Sequence, residues 1–403
     1  MTGPTPGATD YWSYPPGWCI AGPLGRRSRA SHAGQRAKQR RCLTALRVMV
    51  HRVAMRAKPT VESLSPYVAP LEGRRGFLRL DFNENTVGPS PKVVEAVRAL
   101  PPEAYAVYPE YDQLRARYAA RVGLEPEQVG LFNGSDAAIR AVFDAYGEPA
   151  ERFVTTSPTF GYYRPCAEIA GMTLVGVPYA EDLSFPWQGL RRALDAPTRL
   201  CFICNPNNPT STLVGAGEIL ALAAEHPEVL FVVDEIYETY TGVSVLPQAR
   251  NLPNVLALRS LSKSCGLAAL RVGFACGPAP IVERLARVTG PYDINHFGVV
   301  AAHAVLDDWV YVERYSAEVA AAKAWTLDAL RELSVRVYSG GGNFLLVWPG
   351  LDVVQVEVAL RQRRVLVRSM QGKPMLDACF RLSVGTRPQM KTFIEAFRAV
   401  LGR

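Results

Sequence analysis

The sequence predicts an α/β protein with a mostly parallel sheet in a large domain, followed by a smaller α+β domain. Two short and nearly continuous apolar runs, TRLCFICNP at 198–206 and VLFVVDE at 229–235, are typical of strands buried on both faces of a parallel sheet. The helical segment AGEILALAAEH lies between them, so the three together predict a βαβ unit. After about residue 299 the pattern changes to long helical segments followed by shorter strands. We therefore expect ligands at the carboxyl ends of the parallel strands.

The remaining elements follow the same alternation from about residue 96. The first predicted helix covers 110–123 and ends on Gly123, a residue typical of a helix C-terminus. The elements predicted after it are, in chain order, a turn and helix at 131–143, a strand at 152–158, a helix at 161–171, a strand at 173–179, the βαβ unit, strands at 254–263 and 270–277, long helices from 301 to 333, a strand at 343–349, a helix at 353–364, a strand at 380–386 and a helix at 389–402.

Composition and charge narrow the function classes and divide the chain. With 48% hydrophobic and 20% charged residues, and no long uncharged apolar run, the sequence is that of a globular protein and not of an integral membrane protein. Although the formal net charge is +8, residues 1–58 hold eleven Lys/Arg and one acidic residue, so the rest is slightly acidic and predicts no nucleic-acid surface. We predict a basic leader at 1–58, an N-terminal arm at 59–95, a large domain at 96–298 and a small domain at 299–403.

The leader is rich in Pro and Gly and then in Arg. We expect it to be disordered, or to precede a later start such as Met49 or Met55; an Arg-rich transit segment and a nucleic-acid-binding tail are the alternatives. Eight scattered cysteines without an export signal predict reduced thiols and a cytoplasmic protein. Cys201 and Cys204 have no second pair or nearby histidines, so we expect strand residues and no metal site.

One lysine, Lys263, lies in the small and apolar stretch SLSKSCGLAALRVGF at 260–274. A surface lysine at the start of a helix is one interpretation. A chemically used amine is the other, because lysine forms Schiff bases with carbonyl compounds. Burial and the charge of Arg271 would each lower the pKa of Lys263 and favour the neutral amine.

Other polar residues also follow predicted strands. Asp234 ends an apolar run, where an unpaired carboxylate would be expensive to bury, although a helix N-cap would explain it equally. Its neighbour Glu235 is expected to be exposed to solvent. Asn208 lies in the turn CNPNNPTS, which follows the previous strand. Asn208, Asp234 and Lys263 thus fall near one predicted edge of the sheet, which indicates a site.

The segment LFNGSDAAIRAVF has a glycine turn before a helix, where backbone N–H groups either bind an anion or are simply capped by side chains. Taken with the other segments, in their order along the chain, it makes residues 61–402 resemble the fold-type I pyridoxal-phosphate (PLP) aminotransferases of class I and II. Within that group the sequence is most similar to the histidinol-phosphate aminotransferase branch. Where that family usually has a glycine after NPT, this chain has Ser211.

The resemblance implies PLP as the cofactor, carried by Lys263 as a Schiff base. Lys263 is then also the catalytic acid and base. Asp234 would pair with the protonated pyridine nitrogen, while Tyr237 and Asn208 would contact the ring hydroxyl oxygen. Phe160 would stack on the cofactor ring. The phosphate ligands that the resemblance implies are Gly134, Ser135, Asp136, Ser260, Ser262 and Arg271.

The resemblance also implies contacts to the substrate and to a second subunit. Arg381, in FRLSVGTRP, would bind the α-carboxylate through a bidentate pair. A pocket for a distal substrate phosphate would use Tyr67, Tyr292 and Arg368, with Asn83 close to the reacting groups. Tyr108 would reach the cofactor phosphate of a neighbouring subunit, which implies a homodimer with shared sites.

The predicted activity is transfer of an amino group between an amino acid or a histidinol-phosphate-like amino phosphate and 2-oxoglutarate. The alternatives are an aminotransferase for aromatic or other amino acids, and a PLP-dependent decarboxylase or lyase on the same scaffold. A PLP-bound regulator whose basic leader binds DNA is the alternative from another class, and the lack of a helix-turn-helix pattern before residue 59 argues against it.

Overall fold

A computed structural model describes residues 55–66, 70–249 and 252–403 of the chain. The stretch Lys58–Arg403 forms one compact unit. Residues 1–54 of the predicted leader lie outside the described residues, and so does Tyr67, which we predict at the distal phosphate. In the part of the chain that is described, no helix is long and apolar enough to cross a membrane.

The described strands are, in chain order, β1 (Leu78–Arg79), β2 (Val129–Asn133), β3 (Arg152–Ser157), β4 (Thr173–Pro178), β5 (Leu200–Cys204), β6 (Leu230–Asp234), β7 (Val255–Ser260), β8 (Val272–Cys276), β9 (Arg336–Ser339), β10 (Phe344–Trp348), β11 (Val365–Leu366), β12 (Arg368–Ser369) and β13 (Phe380–Ser383).

The described α-helices are Pro59–Glu62, Pro91–Arg98, Asp112–Val122, Gly134–Tyr146, Tyr163–Ile169, Trp187–Leu194, Ala216–Glu225, Leu246–Ala249, Ala279–Arg287, His296–Asp307, Trp309–Glu332, Val353–Gln362 and Arg387–Leu401. Short 3-10 turns lie at Pro102–Tyr105, Pro126–Gln128, Glu238–Tyr240 and Ala268–Leu270. Gly123 ends the helix Asp112–Val122 in the left-handed conformation, as predicted, and Thr386 opens the last helix with a capping box.

The large sheet has seven strands in the order β2-β8-β7-β6-β5-β3-β4. The five neighbouring strands β4, β3, β5, β6 and β7 are parallel to one another. Strand β8 is antiparallel to both of its neighbours, β7 and β2. Every residue of β5, β6 and β8 is buried, because helices cover both faces of the sheet. The predicted α/β fold with a mostly parallel sheet is confirmed.

The C-terminal part contains a four-stranded antiparallel sheet in the order β12-β13-β10-β9. Its apolar face packs against the helices Trp309–Glu332 and Arg387–Leu401. The predicted boundary at residue 299 falls inside the helix His296–Asp307, whose buried face belongs to the core of the large sheet. The division into two domains stays a prediction.

The segment 80–86 connects the seven-stranded sheet to the four-stranded sheet. Leu80 forms a backbone hydrogen bond to one strand on each side. Its N–H donates to Leu366 O of β11 at 2.8 Å, and its carbonyl accepts from Ser383 N of β13 at 2.9 Å. Further along, Asn85 Nδ2 donates to the carbonyl of Ser264 at 2.9 Å, in the loop that follows β7. The segment therefore holds the lysine loop of the large sheet next to β13 of the small sheet.

Candidate active site

Lys263 lies in the loop directly after β7 and is largely buried. Its Nζ donates to the carbonyl of Phe82 at 3.1 Å. Burial lowers the pKa of Lys263 to about 8, and the positive charge of Arg381 is the next cause. Arg271 acts in the predicted direction but contributes less than Arg381. The amine can therefore gain or lose a proton near neutral pH, as a group that forms imines requires.

Asp234 ends β6 and is 1% exposed. Its Oδ2 accepts a hydrogen bond of 2.6 Å from the hydroxyl of Tyr163, whereas Oδ1 is buried and has no partner among the described residues. Burial raises the pKa of Asp234 to about 6, and the Tyr163 bond opposes that rise. Phe160 packs edge-to-face on Tyr163 with ring centroids 5.5 Å apart, so it lies at the same end of the sheet.

The expectation that Glu235 is exposed to solvent is wrong. Glu235 is 1% exposed and forms a buried ion pair of 2.9 Å with Arg259, which also bonds to Glu238. Arg259 lies on β7, the neighbour of β6, so the pair connects two adjacent strands behind the site. Burial raises the pKa of Glu235, and the charge of Arg259 works against that rise. Glu235 and Glu238 flank Tyr237, so these bonds fix the segment that carries the tyrosine.

An anion cradle lies at the start of the helix Gly134–Tyr146. No side chain caps this helix at Asn133, so the N–H groups of its first turn remain available to an anion. Arg271 lies against this turn, with Nη2 3.1 Å from Asp136 Oδ2. Gly134 has φ +78°, which strains any other residue, and a Cβ at that position would lie 2.3 Å from Arg271 Nη2 and would displace the guanidinium.

Three serines close the cradle. Ser135 follows Gly134 in the first helical turn, and Ser260 Oγ accepts from the N–H of Ser262 at 3.1 Å. The hydroxyl of Ser262 itself is buried and has no partner among the described residues. A buried hydroxyl without a partner is costly, and a bound anion would supply one.

A second cluster faces Lys263 from the small sheet. Asn83 Nδ2 donates to the hydroxyl of the buried Tyr237 at 3.0 Å, and Asn83 also exchanges hydrogen bonds with Ser383. Arg381 donates from Nη1 to Asn208 Oδ1 at 2.5 Å and from Nη2 to the carbonyl of Asp81 at 2.7 Å. The structure therefore brings Asn83 and Tyr237 into contact, and likewise Asn208 and Arg381.

Arg368 lies opposite Arg381 on the neighbouring antiparallel strand. Its guanidinium carbon is 5.9 Å from the centre of the Phe82 ring, and Arg368 makes no ion pair within 4 Å among the described residues. Tyr292 and Tyr108 stack on each other with ring centroids 3.9 Å apart, and both residues are more than half exposed.

Sequence reasoning missed Tyr163, Arg259 and Asn343. Arg259 had a signal, since a charged residue inside the apolar strand NVLALRS must find a buried partner. Tyr163 had none, because one tyrosine in GYYRP is not distinguished from its neighbour by pattern. Asn343, which donates from Nδ2 to Asn83 O at 3.2 Å, comes from a loop 260 residues away.

The residues present fit pyridoxal phosphate. The buried Asp234 Oδ1 has no partner in the described part of the chain and offers a carboxylate to a cationic ring nitrogen, while Lys263 offers an amine to an aldehyde. The cradle at Gly134, with the hydroxyl of Ser262 and the guanidinium of Arg271, offers donors to a phosphate.

Comparison with known proteins identifies the family. The family described as aminotransferase class I and II matches residues 75–397. A histidinol-phosphate aminotransferase of Stutzerimonas stutzeri is 36% identical over 366 residues, which cover 86% of this chain and 97% of that protein. Its counterpart in Symbiobacterium thermophilum is 34% identical over 358 residues, covering 86% and 98%.

Among solved structures, the histidinol-phosphate aminotransferase of Sinorhizobium meliloti in complex with pyridoxal-5'-phosphate has the same fold, with a TM-score of 0.79. The two chains are 24% identical, and the match covers 87% of this chain and 99% of that one. This chain therefore belongs to the class I and II aminotransferase family and is a pyridoxal-phosphate-dependent enzyme of fold type I.

Proposed function

We propose that this aminotransferase moves an amino group between a histidinol-phosphate-like amino phosphate and 2-oxoglutarate. The observation that carries the substrate class is the cross-strand pair of Arg368 and Arg381. Residues directly opposite each other on antiparallel strands point to the same face of the sheet, and like charges in that arrangement repel. An anionic substrate group between them removes the repulsion. The names of the relatives from Stutzerimonas and Symbiobacterium support the same substrate class.

The two arginines bind different groups of the substrate. Arg381, held by Asn208 and by the carbonyl of Asp81, binds the carboxylate that lies next to the reacting carbon of glutamate. Arg368 binds the distal group, which is the phosphate of one substrate and the side-chain carboxylate of the other. One site thereby accepts both substrates in turn.

When bound, the cofactor supplies an electron sink for the substrate carbanion. Lys263 would hold the cofactor at its aldehyde carbon and would move a proton at the substrate Cα, which suits an amine with a pKa of about 8. Asp234, which is buried, would pair with the protonated ring nitrogen. The groups that we assign to holding the cofactor are Gly134, Ser135, Asp136, Phe160, Asn208, Tyr237, Ser260, Ser262 and Arg271.

Further contacts complete the proposal. Asn83 orients Tyr237, and Tyr67 and Tyr292 join Arg368 at the distal phosphate. Tyr108 reaches the cofactor phosphate of a second copy of this chain, so the active form is a homodimer. The exposed stack of Tyr108 on Tyr292, with the exposed Tyr105 and Val107 beside it in sequence, supports a surface that another subunit covers.

The test is a panel of amino donors with holoenzyme, watching the cofactor absorbance change to that of its amine form. We expect histidinol phosphate to react, and the matching oxo product to appear with regenerated enzyme and 2-oxoglutarate. Arg368→Gln should raise KM for histidinol phosphate at least about tenfold. Arg192→Gln, on an exposed helix position, is the matched control and should leave KM unchanged.

Each alternative has its own outcome. An equal response of all donors to Arg368→Gln would contradict a distal phosphate and favour an aminotransferase for aromatic or other amino acids. Release of carbon dioxide with an amine product would indicate a decarboxylase. If no amino donor converts the cofactor, the aminotransferase proposal itself fails.

A further inference from the structure

We propose that Ser211 is a positioning residue that ties the loop Asn205–Thr212 to the glycine loop Gly340–Gly342 and so holds Asn208 in reach of Arg381. The family resemblance predicts glycine at this position, and the proposed function uses Asn208 and Arg381 without explaining what fixes them. This inference rests on the roles assigned to those two residues. It concerns a side chain to which the proposed function assigns no contact with the substrate or the cofactor.

Ser211 bonds to the glycine loop with both its backbone and its side chain. Its carbonyl accepts from the N–H of Gly341 at 2.7 Å, and its hydroxyl accepts from the N–H of Gly342 at 3.0 Å. Ser211 is 0% exposed, so water does not compete for either bond. Within its own loop, the N–H of Ser211 donates to the carbonyl of Asn207 at 2.7 Å, directly before Asn208.

The two loops approach so closely that neither has room to shift. A Cβ at Gly340 would lie 1.8 Å from the carbonyl oxygen of Ser211, a distance that no side chain allows. On the far side, Lys323 Nζ donates to the carbonyl of Gly342 at 2.7 Å and also bonds to that of Gly340. The glycine loop is therefore held between Ser211 and Lys323.

The backbone conformation shows what the serine adds. Ser211 has φ +66°, a conformation that costs an L-residue free energy and that glycine adopts freely. Glycine would keep the backbone bonds to Asn207 and Gly341. What serine supplies in exchange for the strain is its hydroxyl, which accepts from the N–H of Gly342 at 3.0 Å and lies 3.5 Å from the carbonyl oxygen of Phe344, at the outer limit of a hydrogen bond.

The loop Asn205–Thr212 and the glycine loop each contain or precede a residue of the site. On one side, Asn208 Oδ1 accepts from Arg381 Nη1 at 2.5 Å. On the other, Gly342 precedes Asn343, whose Nδ2 donates to the carbonyl of Asn83 at 3.2 Å. A loosened contact at Ser211 therefore changes the placement of Asn208, and with it the guanidinium that binds the substrate carboxylate.

The test compares Ser211→Gly and Ser211→Ala with Ser334→Gly. Ser334 has φ +52° but is exposed, so its replacement relieves a similar strain far from the hydroxyl contact and serves as the matched control. KM and kcat for glutamate are measured, together with the visible absorbance of the holoenzyme and Tm. Both Ser211 variants should raise KM about three- to tenfold with kcat within about threefold, as loss of one buried hydrogen bond predicts.

Tm should fall only in Ser211→Ala, which keeps the strain, and Ser334→Gly should leave KM unchanged. An unaltered KM in Ser211→Gly would overturn the inference, whatever happens to Tm. A rise in KM confined to Ser211→Ala is the same contrary result, because a variant without the hydroxyl would then bind glutamate as well as the wild type does. Arg381→Lys separates this from the proposed function: if it raises KM while Ser211→Gly does not, the substrate assignment stands and only the role of Ser211 fails.

Discussion

The hydroxyl of Tyr163 donates a 2.6 Å hydrogen bond to one oxygen of Asp234, and the other oxygen of that carboxylate has no partner within the described residues. The pKa of Asp234, raised to about 6 by burial, lies just below neutral pH. The hydrogen bond favours the ionised form, which is the form that pairs with a protonated ring nitrogen. We therefore predict that Tyr163 acts on the cofactor through the carboxylate.

We expect Tyr163→Phe to move the acid limb of the kcat/KM profile to higher pH. Without the donor, the ionised form of Asp234 loses a stabilising bond, its pKa rises further, and activity is lost at a higher pH as the solution is acidified. The measurement is kcat/KM between pH 5 and 9, with Tyr162→Phe as the matched control. A profile of Tyr163→Phe that superposes on that of the control would contradict the prediction.

Lys263→Ala should remove both the visible absorbance of the lysine-bound cofactor and turnover. Proton transfer by a positioned side chain contributes roughly 10²- to 10⁴-fold, and the covalent contact is lost with it, so activity should fall by at least that range. Absorbance spectra and initial rates with glutamate measure both effects. Lys391→Ala, on the exposed face of the last helix, should behave as the wild type. An unchanged spectrum in Lys263→Ala would refute the assignment.

Gly134→Ala should weaken cofactor binding at least about tenfold, because the new Cβ meets Arg271 Nη2 at 2.3 Å and φ is +78°. Gly217→Ala is the matched control. Gly217 lies in the helix Ala216–Glu225 with no atom within 4 Å of its added Cβ, so alanine there should stabilise the protein by about 0.5–1 kcal/mol. Cofactor titration and urea unfolding of both variants check the pair. Equal cofactor affinity in the two would show that the cradle tolerates the side chain.

The sequence predicts the large sheet well because its parallel strands are buried on both faces and read as uninterrupted apolar runs. Lys263 and Asp234 were found because charged groups at the ends of such runs are unusual. Glu235 was misjudged since nothing in DEIY shows that both of its acids are buried. Its partner Arg259 lies 24 residues away and becomes a neighbour only when β6 and β7 pair.

The contacts of Tyr163 and Ser211 were beyond prediction for a related reason. Each depends on how closely a loop approaches another part of the chain, and local pattern carries no information on that distance. At Ser211 the sequence showed only a departure from the expected glycine. Its left-handed φ and the bond to Gly342 depend on the glycine loop, which begins 129 residues later.

The bonds between Asn83 and Ser383 span 300 residues, as does the bond from Arg381 to the carbonyl of Asp81. A ribosome delivers the first partner of each pair long before the second. Loop closure over such a span is entropically costly and is repaid only when the rest of the fold is in place. We therefore expect the nascent chain to form the large sheet first and to become competent for the substrate carboxylate only after the strand Phe380–Ser383 has emerged.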